Sequence, residues 1–474
     1  MSPNREFLLL TSQRNYSWFS MTEIIPGIKQ LWQKYCDENS IQLNIINVDE
    51  TDIKELAGAA FKAERIIISC FNLKISWAFK TIREKLHIDA PISFYVHGMA
   101  TICLWPLAKW GWDKTLNGRD SFIVSCLKDK LLLERKIPNI KVDIIPFISN
   151  ASIKKDSKVQ GDHLSLYYAG RISQQKNLHT LLLALSVFKK SNTNFSLNIF
   201  GEEDSLGSPN MNMVSIEYKK FLESLICRLD LDNEVKFNGF VERDEISGLL
   251  PNGKKIFISP SLHSDENFGM AVLHALNANH TAVLSDWGGY SDFKLSYNKS
   301  VQLIEIDHAS FGPTLNVNKI VVALEQASSL QTKGVDDLYS VSNLVKNISD
   351  HLQSHSEQRA DFAFSCWLAK KRDHLNPAID SSWIFENYSD SDYLEIASVY
   401  GSDKSSRFQD CDLSRAKIAP WVDIQKDKII VSDPHKGEIQ FSMSTSHEIS
   451  LGEFEVCENG LKFLLENNFI YYES

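Results

Sequence analysis

Apolar residues in the first third of the chain fall in short unbroken runs separated by amphipathic stretches. The runs are EFLLLTS (Glu6–Ser12), QLNIINV (Gln42–Val48), RIIISCF (Arg65–Phe71), PISFYVHG (Pro91–Gly98), SFIVSC (Ser121–Cys126) and VDIIPF (Val142–Phe147). Runs this short and this continuous suit strands buried on both faces, as strands of a parallel sheet are. Segments such as IKQLWQKYCDEN lie between them and carry helical periodicity. Strand and helix in alternation imply a doubly wound α/β sheet. The polar stretch ISNASIKKDSKVQGDH (Ile148–His163) then interrupts the pattern and reads as a linker.

A second alternating set follows. Its strands are LSLYYAG (Leu164–Gly170), SLNIFGEED (Ser196–Asp204), EVKFNGFV (Glu234–Val241), KIFISPS (Lys255–Ser261), TAVLSD (Thr281–Asp286) and SVQLIEI (Ser300–Ile306). NLHTLLLALSVFKKS (Asn177–Ser191) is an amphipathic helix between the first two. The tail differs in texture. WVDIQKDKIIVSD and GEIQFSMS alternate like an antiparallel pair, LGEFEVCENGLKFLLENN (Leu451–Asn468) reads as a helix, and FIYYES reads as a last strand. The expected domains are residues 1–155, a first Rossmann-like domain, and 156–350, a second. A helical return segment over 351–385 and a small α+β module of winged-helix type over 390–474 complete the chain.

Composition narrows the function. The chain has 474 residues and a net charge of -10, which argues against general nucleic-acid binding. Its tail module is acidic too, with four Lys against ten Asp and Glu over 423–474, which favours packing or protein docking over DNA. No apolar run reaches the roughly 18 residues of a membrane span, and the N-terminal segment lacks the pattern of a secretory signal. The expectation is a cytoplasmic protein, with peripheral association at the inner face of a membrane, or a protein partner, reached through the tail module. The eight cysteines are scattered without a C-x-x-C pair, as reduced thiols are, and no metal site is expected.

Ligands of open parallel sheets bind beyond the carboxyl ends of the strands. In the second set these ends carry Gly170-Arg171 with Lys176 following, then Gly201-Glu202-Glu203, Glu242, and the loop SPSLHSDENFGM (Ser259–Met270). Two cations around a glycine turn suit a diphosphate, or else are solvated surface charges. The step Phe268-Gly269 puts backbone amides at the start of a helix, where unpaired N–H groups and partial positive charge favour phosphate or hydroxyl oxygens. Glu266 can accept hydrogen bonds from hydroxyls there. His274, two turns along, is either a second ligand-facing group or a hydrogen-bonded core histidine.

These phrases resemble, in order and spacing, the retaining glycosyltransferases of family four, with the GT-B fold of two Rossmann-like domains facing a cleft. YYAGRISQQKNLHTLLLAL, LNIFGEED, VKFNGFVERDEISGLL, ENFGMAVLHAL (an E-x7-E phrase) and SDWGGYSDF carry the resemblance from Leu164 to Asp292. PISFYVHGM, with His97-Gly98, supports it in the first domain. The resemblance implies transfer of a sugar from a nucleotide diphosphate sugar to a hydroxyl of a glycan, lipid-linked or protein acceptor, with retention and without metal or cofactor. It implies catalytic roles for His97 beside the reacting sugar, Arg171 and Lys176 on the diphosphate, and Glu266 on sugar hydroxyls. Gly98, Gly170, Gly201, Glu242, Asn267, Phe268, Gly269, Met270 and His274 would line the donor.

The sequence departs from that pattern at three places. His274 stands where the family has a second Glu, which usually grips the ribose hydroxyls. NANHTAV replaces a glycine turn, with Asn277 or Asn279 left to supply the left-handed residue. Asp265 precedes Glu266 and competes with it as the sugar-binding acid; the spacing to Phe268-Gly269 favours Glu266. Trp105, Trp110 and Trp112 in the first domain either stack on an acceptor or pack under a helix. The alternatives to an enzyme of this kind are a non-catalytic GT-B binding subunit serving a glycosylation complex and, less favoured, a nucleotide-sugar epimerase of the same fold.

Overall fold

The computed structural model describes residues 5–13, 20–99, 106–107, 110–137, 139–148, 161–203, 217–309, 312–330, 338–353 and 396–401, together with short stretches of the tail between 416 and 472. The chain forms two compact units. One comprises Met1–Ser152, Ser264–Leu273 and Val335–Asn387; the other comprises Ile153–His263, His274–Gly334 and Tyr388–Ser474.

The first unit is built on β1 (Glu6–Thr11), α1 (Met21–Glu38), β2 (Gln42–Asn47), α2 (Ile53–Ala60), β3 (Arg65–Ile68), α3 (Leu73–Lys80), β4 (Ile92–Tyr95), β5 (Ser121–Val124), α4 (Leu127–Lys136) and β6 (Lys141–Ile144). The strands make a parallel sheet in the order β2-β1-β3-β4-β5-β6. Leu8, Leu9, Leu10, Ile66, Ile67, Ile68, Phe94 and Ile123 are fully buried, as strands covered on both faces require. Helix starts are set by side-chain caps: Asp52 accepts from the amides of Lys54 and Glu55, and Asn72 from that of Ile75. Trp112 is buried in a ring cluster with Phe71, Phe79 and Phe94, and its indole donates to Ser76 Oγ at 2.9 Å. For Trp112 the packing role therefore holds and the stacking role does not; Trp105 lies outside the described residues.

The second unit contains β7 (Leu164–Ala169), α5 (Leu178–Ser191), β8 (Phe195–Phe200), α6 (Tyr218–Arg228), β9 (Val235–Gly239), α7 (Arg243–Leu249), β10 (Lys254–Ser259), α8 (Met270–Asn277), β11 (Thr281–Ser285), α9 (Tyr290–Ser296), β12 (Val301–Ile304) and α10 (Val317–Ser329). Its parallel sheet runs β12-β11-β10-β7-β8-β9. Strand order reverses between β7 and β10, so the switch point lies where β7 and β10 end. The loop after β10 and the first half of α8 group with the first unit. Asn279, at φ +66°, takes the left-handed position after α8; Asn277 is still helical.

Past α10, α11 (Val341–Gln353) rejoins the first unit and packs on α1. Its His351 is buried and ties three strands together. Nδ1 lies 2.6 Å from Asp143 Oδ2, and Nε2 lies 2.9 Å from Ser93 Oγ and 3.2 Å from Ser121 Oγ. In the tail, Val422–Gln425, Lys428–Asp433 and Gly437–Ser442 form a three-stranded antiparallel sheet, and Ile470–Tyr472 pairs with Ala416–Ile418. The expected helix over 451–468 is corrected at its start: Ile449–Leu451 and Phe454–Val456 pair as a hairpin. Phe454 and Val456 favour extended backbone over helix. Asn468 fastens the tail to the second unit, accepting from the Val317 amide at 3.0 Å and donating to the Leu315 carbonyl at 2.9 Å.

Candidate functional site

In the second unit the polar residues gather at the switch point. β7 and β8 end so close together that a Cβ on Gly201 would lie 1.9 Å from the Gly170 carbonyl oxygen, and Gly201 holds φ +136°. Only glycine fits there. The turn beyond Gly170 is fixed by Tyr168, whose hydroxyl donates to the Arg171 carbonyl at 2.8 Å. A short 3₁₀ turn, Gln174–Lys176, leads to Asn177 at φ +57° and then to α5. This turn is stitched to the end of β10, since the Leu262 amide donates to the Gln175 carbonyl at 3.1 Å.

His263 is the residue next to these cations that the sequence did not mark. It is buried, and burial holds its imidazole well below the ordinary range, with the positive charges of Lys176 and Arg171 pushing the same way. Neutral His263 thus leaves the two cations undiminished. The SDWGG phrase buttresses this loop from behind: Ser285 Oγ donates to the Ser261 carbonyl at 2.6 Å, and the buried Trp287 indole donates to the His263 carbonyl at 2.7 Å. A turn carrying two cations, on a close-packed glycine pair, can cradle a phosphate chain.

At the far edge of the same sheet, Arg243 Nη1 donates to His274 Nε2 at 3.2 Å. In this pairing Nε2 is the acceptor and Nδ1 carries the proton. Glu242 is exposed at the start of α7 and makes no cap hydrogen bond. Glu202 and Glu203 serve the fold: Glu202 accepts from the Phe240 amide at 3.0 Å and Glu203 from the Lys219 amide at 2.9 Å.

In the first unit, His97 and Gly98 follow β4, and the loop Ser264–Gly269 is pinned to the same strand ends. Ser125 Oγ, after β5, donates to the Asn267 carbonyl at 2.8 Å; Asn267 Nδ2 donates to the Val96 carbonyl at 3.4 Å. Asn267 is thereby occupied within the protein. Phe268 is buried against Phe147 and Tyr339, with ring centroids 5.5 Å away in each case. Gly269 holds φ +102° at the entry to α8, and Met270 is buried. Glu266 is buried as well, whereas Asp265 is partly exposed.

His97 is the most distinctive group of this half. Its ring stacks on Phe147 at 5.4 Å, and Nε2 lies 2.5 Å from the Ser69 carbonyl oxygen. A carbonyl only accepts, so Nε2 carries the proton and Nδ1 keeps a lone pair. Nδ1 is buried and has no hydrogen-bond partner among the described residues. Burial pushes the pKa down to about 4, the Ser69 carbonyl opposing it, so the ring is neutral at physiological pH. A buried lone pair without a donor costs free energy, and a ligand hydroxyl would satisfy it.

Sequence reasoning placed these residues at strand ends, and the fold brings Gly170, Arg171, Lys176 and Gly201 to one edge of the second sheet. It brings His97, Gly98, Glu266, Asn267 and Phe268 to one edge of the first. His263, Arg243 and the Ser12–Asp49–Asn72 cluster after β1 were not marked. In that cluster Ser12 Oγ donates to Asp49 Oδ2 at 2.7 Å and Asn72 Nδ2 donates to Ser12 Oγ at 2.7 Å.

Residues 149–299 match the Glycosyl transferases group 1 family model. No curated protein matches the chain in sequence. Among solved structures, the lipopolysaccharide outer core galactosyltransferase WaaB, apo form, resembles it with a TM-score of 0.51 at 12% identity, over 73% of this chain and 99% of that one. The structure of Anabaena HepE in complex with UDP and glucose gives a TM-score of 0.49 at 13% identity, over 74% of this chain and all of that one (100%). At such identity the likeness to WaaB is one of fold. The two parallel six-stranded sheets are those of the GT-B fold. Residues 149–299 thus resemble a group 1 glycosyl transferase region within a chain of GT-B fold. Among the described residues no cluster of three His, Cys, Asp or Glu could hold a metal ion, and no helix is long and apolar enough to cross a membrane.

Proposed function

We propose that the protein is a retaining, metal-independent glycosyltransferase that moves a hexose from a nucleoside diphosphate to a hydroxyl of a glycan, lipid-linked or protein acceptor. The observation that carries the reading is the turn Gly170–Lys176 at the switch point, with two cations on a glycine pair that admits no side chain. Arg171 and Lys176 hold the diphosphate and offset the charge that grows on it as the sugar bond breaks. One loop continues from His263, beside these cations, to Asp265 and Glu266, which accept from sugar hydroxyls. The family resemblance assigns His97 a place beside the reacting sugar, and its Nδ1 has no partner among the described residues. The released phosphate takes the acceptor proton on the face it has just left, which gives retention without a protein nucleophile.

The test is a panel of nucleotide-sugars scored for nucleoside diphosphate release, with NMR of the product's anomeric configuration. One donor is turned over, with retention and unaltered by EDTA. Lys176→Ala lowers kcat/KM by about 10- to 100-fold, the scale of a charge-assisted hydrogen bond of roughly 1.5–3 kcal/mol. Silence from every donor, or an inverted product, refutes the reading.

A further inference from the structure

The tail packs back onto the second unit beside the SDWGG loop. Residues 396–400 are helical, and Ile396, Ala397 and Tyr400 are buried there. The Tyr400 ring meets the Trp287 indole edge-on, with centroids 5.5 Å apart, and the Tyr400 carbonyl accepts from the Gly288 amide at 3.3 Å. Both rings are fully buried. Gly401 keeps the next turn close in: a Cβ there would lie 3.2 Å from His308 Nε2. On its other side Trp287 donates its indole N–H to the His263 carbonyl at 2.7 Å. Leu262 precedes His263, and its amide donates to the carbonyl of Gln175, the neighbour of Lys176, at 3.1 Å. Hydrogen bonds and one ring contact thus run from Tyr400 to the turn that carries Lys176, and every link lies within the second unit.

We infer that Tyr400 is a positioning residue for the diphosphate turn: by bracing Trp287 it fixes the loop that ties down Gln175 and Lys176, so the tail completes the donor site. This rests on the function proposed above. An indole aims its N–H at one carbonyl only while its ring is held in one orientation, and close packing on the far side is what holds it. Tyr400 supplies that packing, and its loss would open a cavity into which the indole can turn. The Gly288–Tyr400 bond holds the same loop by its main chain. Tyr400 lies outside residues 149–299, which carry the family match. Linkage makes the effect reciprocal: a ligand that binds better with the brace in place strengthens the brace in return.

The experiment has separable arms. UDP, GDP, ADP and dTDP are first titrated by calorimetry into the full wild-type chain and into Lys176→Ala. Binding of none, or binding that Lys176→Ala leaves unchanged, overturns the functional reading and this inference with it. With the diphosphate that binds, Tyr400→Ala raises Kd at least about 5-fold, the low end of coupling between sites, whereas Tyr400→Phe, which keeps a ring against Trp287, stays within about 2-fold of wild type. Hydrogen exchange of the wild-type chain, with and without that diphosphate, reads the coupling from the other side. Protection of the Gly288 amide and of residues 396–401 rises at least about 5-fold, while that of the tail strand Lys428–Asp433 changes less than about 2-fold. A Tyr400→Ala Kd within about 2-fold of wild type, where Lys176→Ala binds weakly, overturns the inference and leaves the functional reading standing. So does a Tyr400→Phe variant as weak as Tyr400→Ala. Unchanged protection at Gly288 and 396–401, or a rise shared equally by Lys428–Asp433, overturns it whether or not Tyr400→Ala folds.

Discussion

Gly201→Ala is the substitution whose outcome the geometry determines most sharply. A methyl group at residue 201 would lie 1.9 Å from the Gly170 carbonyl oxygen and 2.9 Å from its carbon, and the backbone there holds φ +136°. The obstacle is main chain, with no side chain to turn aside. Holding alanine at such a φ costs roughly 1–3 kcal/mol. Relief by separating the strand ends sacrifices the bonds from the Gly170 amide to the Phe200 carbonyl and from the Gly201 amide to the Gly239 carbonyl. Each is worth about 1 kcal/mol. The expected destabilisation is therefore about 4 kcal/mol, measured by urea unfolding followed by far-UV circular dichroism. Gly58→Ala is the matched control. Gly58 lies inside α2 with nothing within 4 Å of the added carbon, so alanine there stabilises by about 0.5–1 kcal/mol. A Gly201→Ala variant within about 1 kcal/mol of the parent would refute the close approach of β7 and β8, and with it the shape given to the Arg171 turn.

Three further outcomes rest on buried polar groups. Burial, with Lys141 and Arg65 adding to it, holds His351 below its ordinary range in spite of Asp143; burial likewise holds His97 at about 4. A folded-state histidine pKa below the unfolded value of about 6.5 gives stability that is complete above that pH and lost below it. His97 alone removes about 1.4 kcal/mol per unit as pH falls from 6.5 toward 4, read as a falling Tm over that window. His351→Leu removes the hydrogen-bond partner of Asp143 Oδ2 and leaves Ser93 and Ser121 with each other and Arg65; it costs about 2 kcal/mol at about pH 7.5, read by urea unfolding, and a change below about 0.5 kcal/mol would dismiss the network as ornament. Asn279→Gly keeps the left-handed turn after α8 and removes a buried Oδ1 without a partner among the described residues, so it stabilises by about 1 kcal/mol in the same assay.

The parallel strands were legible because their apolar runs need burial on both faces, and LLL at 8–10 and III at 66–68 sit where that demands. The start of α8 was legible because ENFGM combines a breaker with an apolar stripe. What stayed hidden depends on residues distant in sequence. His263 gains its meaning only when Lys176 and Arg171 arrive from the turn after β7, and His274 only when Arg243 arrives from the end of β9. His351, in the polar-looking SDHLQS, gives no periodic sign of the three strands it joins. The misread helix start at Leu451 shows the other failure: LGEFEV is short enough for either period, and pairing of Leu451 with Phe454 decided it.

The central claim is that a nucleoside diphosphate binds with its phosphates on the turn after β7. A crystal structure of the chain soaked with the diphosphate that calorimetry selects tests this directly. Phosphate oxygens within hydrogen-bond distance of Arg171 and Lys176, opposite the Gly170–Gly201 pair, are the predicted result. Phosphates lodged elsewhere on the second sheet, with both cations untouched, would contradict it.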